Sequence, residues 1–165
     1  MKKSIAIVLL SCAAFSTPVL AANTPVYVGL QVSDEYIGIL GGFQLDPMYS
    51  VEVSYLEFDQ ISVSGGATST KADASSLGVA GVAMFPMKLQ GMPPFSFFAK
   101  AGFERVTVKE KTTNFLGSIS RTTTDTNLVL GGGAQYDFNS NVSARLGLDI
   151  AGEADTLYLS AIFKF

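Results

Sequence analysis

Residues 156–165 read TLYLSAIFKF. Leu157, Leu159, Ala161, Phe163 and Phe165 share one face of an extended chain, and Thr156, Tyr158, Ser160, Ile162 and Lys164 the other, because successive strand side chains point to opposite sides. Ten residues with an unbroken apolar face and an aromatic last position have the length of a tilted strand that crosses a bilayer. In water such an edge would template aggregation, whereas in a closed barrel both of its edges are paired. The stretch therefore calls for further staves from the chain before it.

Working back from it, seven earlier runs alternate in the same way. Val142, Ala144, Leu146, Leu148 and Ile150 oppose Ser143, Arg145, Gly147 and Asp149, after the compact turn Asn139-Ser140-Asn141. Leu128, Leu130, Ala134, Tyr136 and Phe138 oppose Asn127, Gly131, Gly133 and Gln135. Phe95, Phe97, Ala99, Ala101 and Phe103 oppose Ser96, Phe98, Lys100, Gly102 and Glu104. Leu77, Val79, Ala83 and Phe85 oppose Gly78, Ala80, Val82 and Met84, with weaker amphipathicity. Three runs near the start, at 26–32, 36–45 and 49–58, complete the set. The connections differ in length: 33–35, 46–48 and 139–141 are short, 86–94 carries proline at both ends, and 60–75 and 109–126 are long, Ser/Thr-rich and read as exposed loops. No helix and no solenoid repeat is predicted.

Residues 1–22 (MKKSIAIVLLSCAAFSTPVLAA) have the three parts of a secretory signal peptide: Lys2 and Lys3, an apolar stretch, and a small-residue end. An uncleaved anchor is disfavoured by Pro18 and the short apolar run, and a lipoprotein-like box at Leu9-Leu10-Ser11-Cys12 is followed by a better cleavage site. The expected mature domain is 23–165. Cys12 leaves with the signal and the chain has no histidine. A disulfide framework, a thiolate metal site, a cysteine nucleophile and the commonest general base are thereby excluded. Removing Lys2 and Lys3 from the eleven basic residues leaves nine against fourteen acidic ones, a net charge of −5. That balance speaks against a nucleic-acid partner. Carboxylates at Asp34, Glu35, Glu153 and Asp155 suggest a solvated acidic rim rather than a metal site; no catalytic, cofactor or metal residue is predicted.

Half-apolar composition without a spanning helix leaves a soluble β-sandwich or a membrane barrel. Runs of about ten residues favour the barrel, since soluble strands average nearer five or six. The expected fold is an all-β, eight-stranded, antiparallel up-and-down transmembrane barrel. With the amino terminus in the periplasm, the turns at 46–48, 86–94 and 139–141 fall on the periplasmic side and both long loops fall outside. Phe43, Tyr49, Phe85, Phe95, Tyr136, Phe138 and Phe165 then form an inner aromatic girdle, and Tyr55 and Phe103 belong to an outer one. The opposite faces become the lumen, which at eight strands is just wide enough to be filled by side chains. Glu52, Lys100, Glu104, Arg145 and Asp149 all lie on it and should pair, because unpaired buried charge is costly. Glu52 is expected to meet Arg145 across the lumen, and Lys100 to join Glu52 or Glu104.

The opening VYVGLQV, the segment LVLGGGAQYDFNSNVSARLGLDI at 128–150 and the terminal AIFKF resemble the small outer-membrane barrels of the OmpA-type, opacity-protein and OmpX/Ail group. The resemblance covers 23–165. It implies outer-membrane lipid surroundings and recognition of Phe163 and Phe165 by the barrel assembly machinery, although Ser160 stands where that signal usually has glycine. The resemblance also implies host or envelope surface components as partners of the exposed loops. Relatives of this type that act as enzymes rely on histidine, so a non-enzymatic envelope or adhesion-like role is expected, with a narrow pore or a carrier of small or hydrophobic solutes as the alternative.

Overall fold

The computed structural model describes residues 26–65, 68–87, 95–114, 117–152 and 154–165; the expected signal segment 1–22 lies outside the described residues. The strands are β1 (Val26–Val32), β2 (Tyr36–Gln44), β3 (Tyr49–Phe58), β4 (Ile61–Gly65), β5 (Thr68–Met87), β6 (Phe95–Asn114), β7 (Gly117–Asp137), β8 (Val142–Ala151) and β9 (Ala154–Lys164). Sequence neighbours other than β3 and β4 pair antiparallel, β1 also pairs with β9, and β3 pairs with β5. These last two ladders close the sheet into an up-and-down barrel of eight staves. The short β4 pairs with β5 alone and stands outside the ring.

The carboxyl-terminal stretch is the closing stave. Tyr27 faces Lys164, Leu30 faces Ala161 and Val32 faces Leu159 along the β1–β9 ladder, while Val142 faces Phe163 on its other edge. Its backbone donors and acceptors are thereby used on both sides, as a bilayer requires. Alternation sorts the faces: Leu159 is 52% exposed on the outside, and Ile162 is 1% exposed inside. Exposed apolar residues such as Val28, Ile39, Val53, Leu77, Leu130 and Leu148 make the outer belt that meets lipid.

Local chemistry sets the turns. Asp46 Oδ1 accepts from the amides of Met48 and Tyr49 at 2.7 and 2.8 Å, and Asn139 Oδ1 accepts from those of Asn141 and Val142 at 2.8 Å each. Gly152, between β8 and β9, has φ +65°, a conformation that glycine adopts without penalty.

Two expected loops are largely strand. Within 60–75, residues 61–65 form β4 and 68–75 the first part of β5, and within 109–126, residues 109–114 and 117–126 continue β6 and β7, with pairing that reaches Asn114 and Gly117. A polar, Thr-rich composition looks like a loop by hydropathy, yet Thr is a good strand former, and the ladder already running below continues upward.

Candidate functional site

Side chains crowd the lumen. The layer three residues in from the short turns is polar. Arg145 Nη1 lies 2.6 Å from Glu52 Oε1, joining β8 to β3 across the barrel, with side chains only 3% and 6% exposed. The Tyr27 hydroxyl donates to the same Glu52 oxygen at 2.7 Å and lies 2.9 Å from Ser50 Oγ. Arg145 also donates from Nε and Nη2 to Gln135 Oε1 at 3.2 and 3.1 Å, and its guanidinium stacks 4.8 Å from the Phe98 ring centre. One carboxylate, one guanidinium, an amide, a phenol and an aromatic face thus satisfy one another where little solvent reaches them.

Above and beside it, Tyr36, Leu56, Val82, Phe98 and Tyr158 form an apolar cluster, and Tyr27, Leu40 and Ile162 form a second. Gln31 donates to the Tyr36 hydroxyl at 2.5 Å. Small residues make room for these rings. A Cβ on Gly42 would run into the Tyr27 ring, and one on Gly147 would meet Tyr158 and Phe98.

Lys100 does not join Glu52 or Glu104. Its Nζ lies 2.5 Å from Asp149 Oδ2 and 5.0 Å from the Tyr158 ring centre. The register explains the choice: Lys100 faces Gly131, which in turn faces Asp149. With no side chain on Gly131, Lys100 reaches across β7 to the second strand over. Glu104 instead accepts a hydrogen bond from the Ser76 hydroxyl at 3.0 Å. Around this second group lies a void of about 30 Å³ bordered by Gln31, Ser54, Lys100, Glu104 and Asp149, and Asp149 Oδ1 has no hydrogen-bond partner among the described residues.

A third group went unforeseen. At the mouth beside the short turns, Asp137 Oδ1 accepts from Lys164 Nζ at 2.7 Å, Ser143 Oγ at 2.5 Å and Gln135 Nε2 at 3.0 Å. Lys164 already lies on the inward face of the last strand with Ile162, and extending the alternation by one more inward position past Gln135 places Asp137 beside it, which is the signal that would have found the pair. A recess of about 260 Å³ opens here, floored by Tyr27, Ser50, Arg145 and Ile162. The recess ends on the polar layer.

At the other end the barrel wall continues past the membrane. β6 has 20 residues and β7 has 21. At about 3.3 Å per residue and a tilt near 45°, 20 residues rise about 47 Å, against an apolar band about 25 Å tall. Roughly 20 Å of hairpin therefore stands clear of the belt.

A closed antiparallel barrel with a lipid-facing belt, aromatic residues near its rims and a side-chain-filled lumen is a small transmembrane β-barrel. The chain belongs to the family of the outer membrane protein beta-barrel domain, whose pattern matches residues 7–158. That membership places it in the bacterial outer membrane, where barrels of this kind keep short turns on the periplasmic side and longer loops outside. No match was found among curated protein sequences. Among solved structures, the chain is similar to the N-terminal β-barrel domain of Pseudomonas aeruginosa OprF, with 16% identity, 86% of this chain and 96% of that one covered, and a TM-score of 0.62. Ail, the attachment invasion locus protein of Yersinia pestis, is similar at 15% identity, with 86% and 95% covered and a TM-score of 0.52. Neisserial surface protein A is similar at 14% identity, with 86% and 94% covered and a TM-score of 0.52. Ail has also been solved in complex with the heparin analogue sucrose octasulfate. At these identities the likeness concerns the fold.

Proposed function

We propose that this chain is a non-enzymatic envelope protein whose plugged barrel is a rigid pedestal for surface contacts made by the extended β3–β5 and β6–β7 hairpins. The observation that carries the reading is the Glu52–Arg145 pair, closed over by Tyr27 and Gln135 and backed by the Phe98–Tyr158 cluster. Side chains occupy the space that a through-going water path would need. Selection for conduction would favour a wetter axis, whereas a display role is served by a stiff base and a long exposed ladder.

In this reading residues 1–22 direct export and are removed, 23–165 form the barrel, and Phe163 and Phe165 are read by the barrel assembly machinery. Partners are components of host or envelope surfaces. The Ail complex with a heparin analogue offers a precedent for a ligand on a barrel of this fold. Catalysis has no part in it, since the mature chain lacks histidine and cysteine.

Two measurements test the reading together. Purified barrel in planar bilayers should show no sustained single-channel current. Cells displaying a variant lacking 107–124 should lose binding to the surfaces that the intact protein binds. Steady, large conductance would favour the alternative of a narrow pore or solute carrier and overturn the pedestal reading; unchanged surface binding by the shortened variant would remove the hairpin from it.

A further inference from the structure

Methionine is concentrated at one end of the barrel. Beyond Met1, in the expected signal segment, the chain has Met48, Met84, Met87 and Met92, and β5 is the one strand that contains any of them. Met48 ends the short β2–β3 turn, Met84 and Met87 are in the last four residues of β5, and Met92 lies outside the described residues. Barrels of this kind keep the short-turn end in the periplasm.

The β3–β5 ladder brings two of these residues together. Its last registered pair at this end is Tyr49 with Ala83, and one rung further the Met84 amide donates to the Met48 carbonyl at 2.6 Å. Met48 and Met84 are therefore directly opposite, and side chains so placed share a face with Cβ atoms about 5 Å apart. That face is the inner one, since Ser50 and Val82, two rungs in, are both buried. Met84 is half-buried and lines the recess of about 260 Å³, as do Pro47 and Tyr49 on either side of Met48. Met87 differs: with Phe85 it is exposed on the lipid-facing side of β5.

Two flexible thioethers on one face of a water-filled mouth can converge on one ion, because methionine has three rotatable bonds and a polarizable sulfur. The surroundings select which ion. Hard cations such as calcium need six or more oxygens, and the one carboxylate bordering the recess, Asp137, already accepts from Lys164, Ser143 and Gln135. Zinc calls for imidazole or thiolate, and the chain beyond the signal segment has no histidine or cysteine. Thioethers suit Cu(I), and unlike thiols they do not pair into disulfides where the compartment is oxidising. Both basic residues that border the recess, Arg145 and Lys164, are neutralised by Glu52 and Asp137, so neither presents an unpaired charge to an entering cation. We propose that Met48 and Met84 form a site for a soft monovalent cation, Cu(I), at the short-turn mouth of the barrel. Two thioethers leave further coordination positions open, which suits an ion held for exchange rather than one locked in place. This assignment is independent of what the outer hairpins display to other surfaces.

The test uses the protein purified from outer membranes into uncharged detergent and titrated with silver nitrate in chloride-free buffer, Ag(I) being the redox-inert probe of a Cu(I) site. Calorimetry should show one tight ion per barrel, and Cu(I) presented by a chromogenic chelator under reducing conditions should displace it. Met48→Leu and Met84→Leu should each weaken Ag(I) by at least about tenfold, the least that loss of even an outer-shell partner costs a metal site, and the double variant should lose the ion. Leucine conserves the volume of methionine, so the fold is retained. Met87→Leu should leave binding unchanged. Equal Ag(I) binding by the intact protein and the double variant, each shown folded by its gel shift on boiling, would overturn the assignment, as would equal loss from Met87→Leu or displacement of Ag(I) by equimolar Zn(II). A second measurement needs no variant. Brief peroxide treatment converts accessible methionine to the sulfoxide, and peptide mass spectrometry locates it. Bound Ag(I) should protect Met48 and Met84 and leave Met87 as reactive as before; protection of none of the three, or of all three alike, would also overturn the site.

Discussion

Replacing Glu52 with leucine should destabilise the barrel through the charge it leaves behind. Arg145 would keep Gln135 Oε1 at 3.2 and 3.1 Å and the Phe98 ring at 4.8 Å, but no anion, on a side chain only 3% exposed. Removing one partner of a buried pair costs about 3–5 kcal/mol. Tyr27 loses its carboxylate acceptor and keeps Ser50 at 2.9 Å, a smaller loss. In Glu52→Leu/Arg145→Leu no charge is stranded. What remains is Gln135 Oε1 without its donors, about 1–3 kcal/mol for a buried unsatisfied acceptor, partly offset by the added apolar contact. The double variant should therefore be more stable than Glu52→Leu by about 2 kcal/mol. Urea titration of barrels folded in lipid vesicles, with the folded fraction read from mobility of unboiled samples, measures all four corners of the cycle. Single variants within about 1 kcal/mol of the parent, or additive effects, would refute the claim that the pair is closed off from water.

Other expectations follow from the packing. Gly102→Ala should cost about 1–3 kcal/mol, because its new Cβ would run into the backbone of Val79 and Ala80, whereas Gly41→Ala, with nothing within 4 Å, should be neutral in the same urea titration. Gly131→Ala should separate Lys100 from Asp149, since the added methyl would meet Asp149 Oδ1 and come within 3.2 Å of Lys100 Cε; a solved variant that retains the 2.5 Å pair would contradict this. Deleting 107–124 should leave the boiling-dependent gel shift intact, because the closing ladders β1–β9 and β3–β5 involve none of those residues. Phe163→Ala/Phe165→Ala should lower the yield of folded protein in the outer membrane by several-fold while leaving folding into vesicles unchanged. Equal loss in both settings would mean that the two rings matter for packing and not for recognition by the assembly machinery.

Much of the architecture was legible from residue order. Alternation at period two assigns a side chain to lipid or to lumen without knowledge of its neighbours, which is why Glu52, Lys100, Glu104, Arg145 and Asp149 could be placed together on the inward faces. The ends of the long hairpins were harder to read. Thr- and Ser-rich stretches satisfy a solvated loop and a solvated strand equally well, and only the ladder reaching up from the membrane decides between them.

Partner choice inside the lumen belonged to the tertiary structure. Which inward groups meet depends on the stagger between strands and on the room a glycine leaves, and neither appears in a single strand's pattern. Lys100 passed over Glu52 and Glu104 for Asp149 because Gly131 lies between Lys100 and Asp149 in register, and Asp137 and Lys164 met because the registers of two consecutive hairpins bring their ends together on either side of β8. By itself the sequence determined the class of fold and the side each residue faces, because those follow from local alternation. Closure and register decided the pairs, because they bring together residues such as Glu52 and Arg145 that lie 93 positions apart.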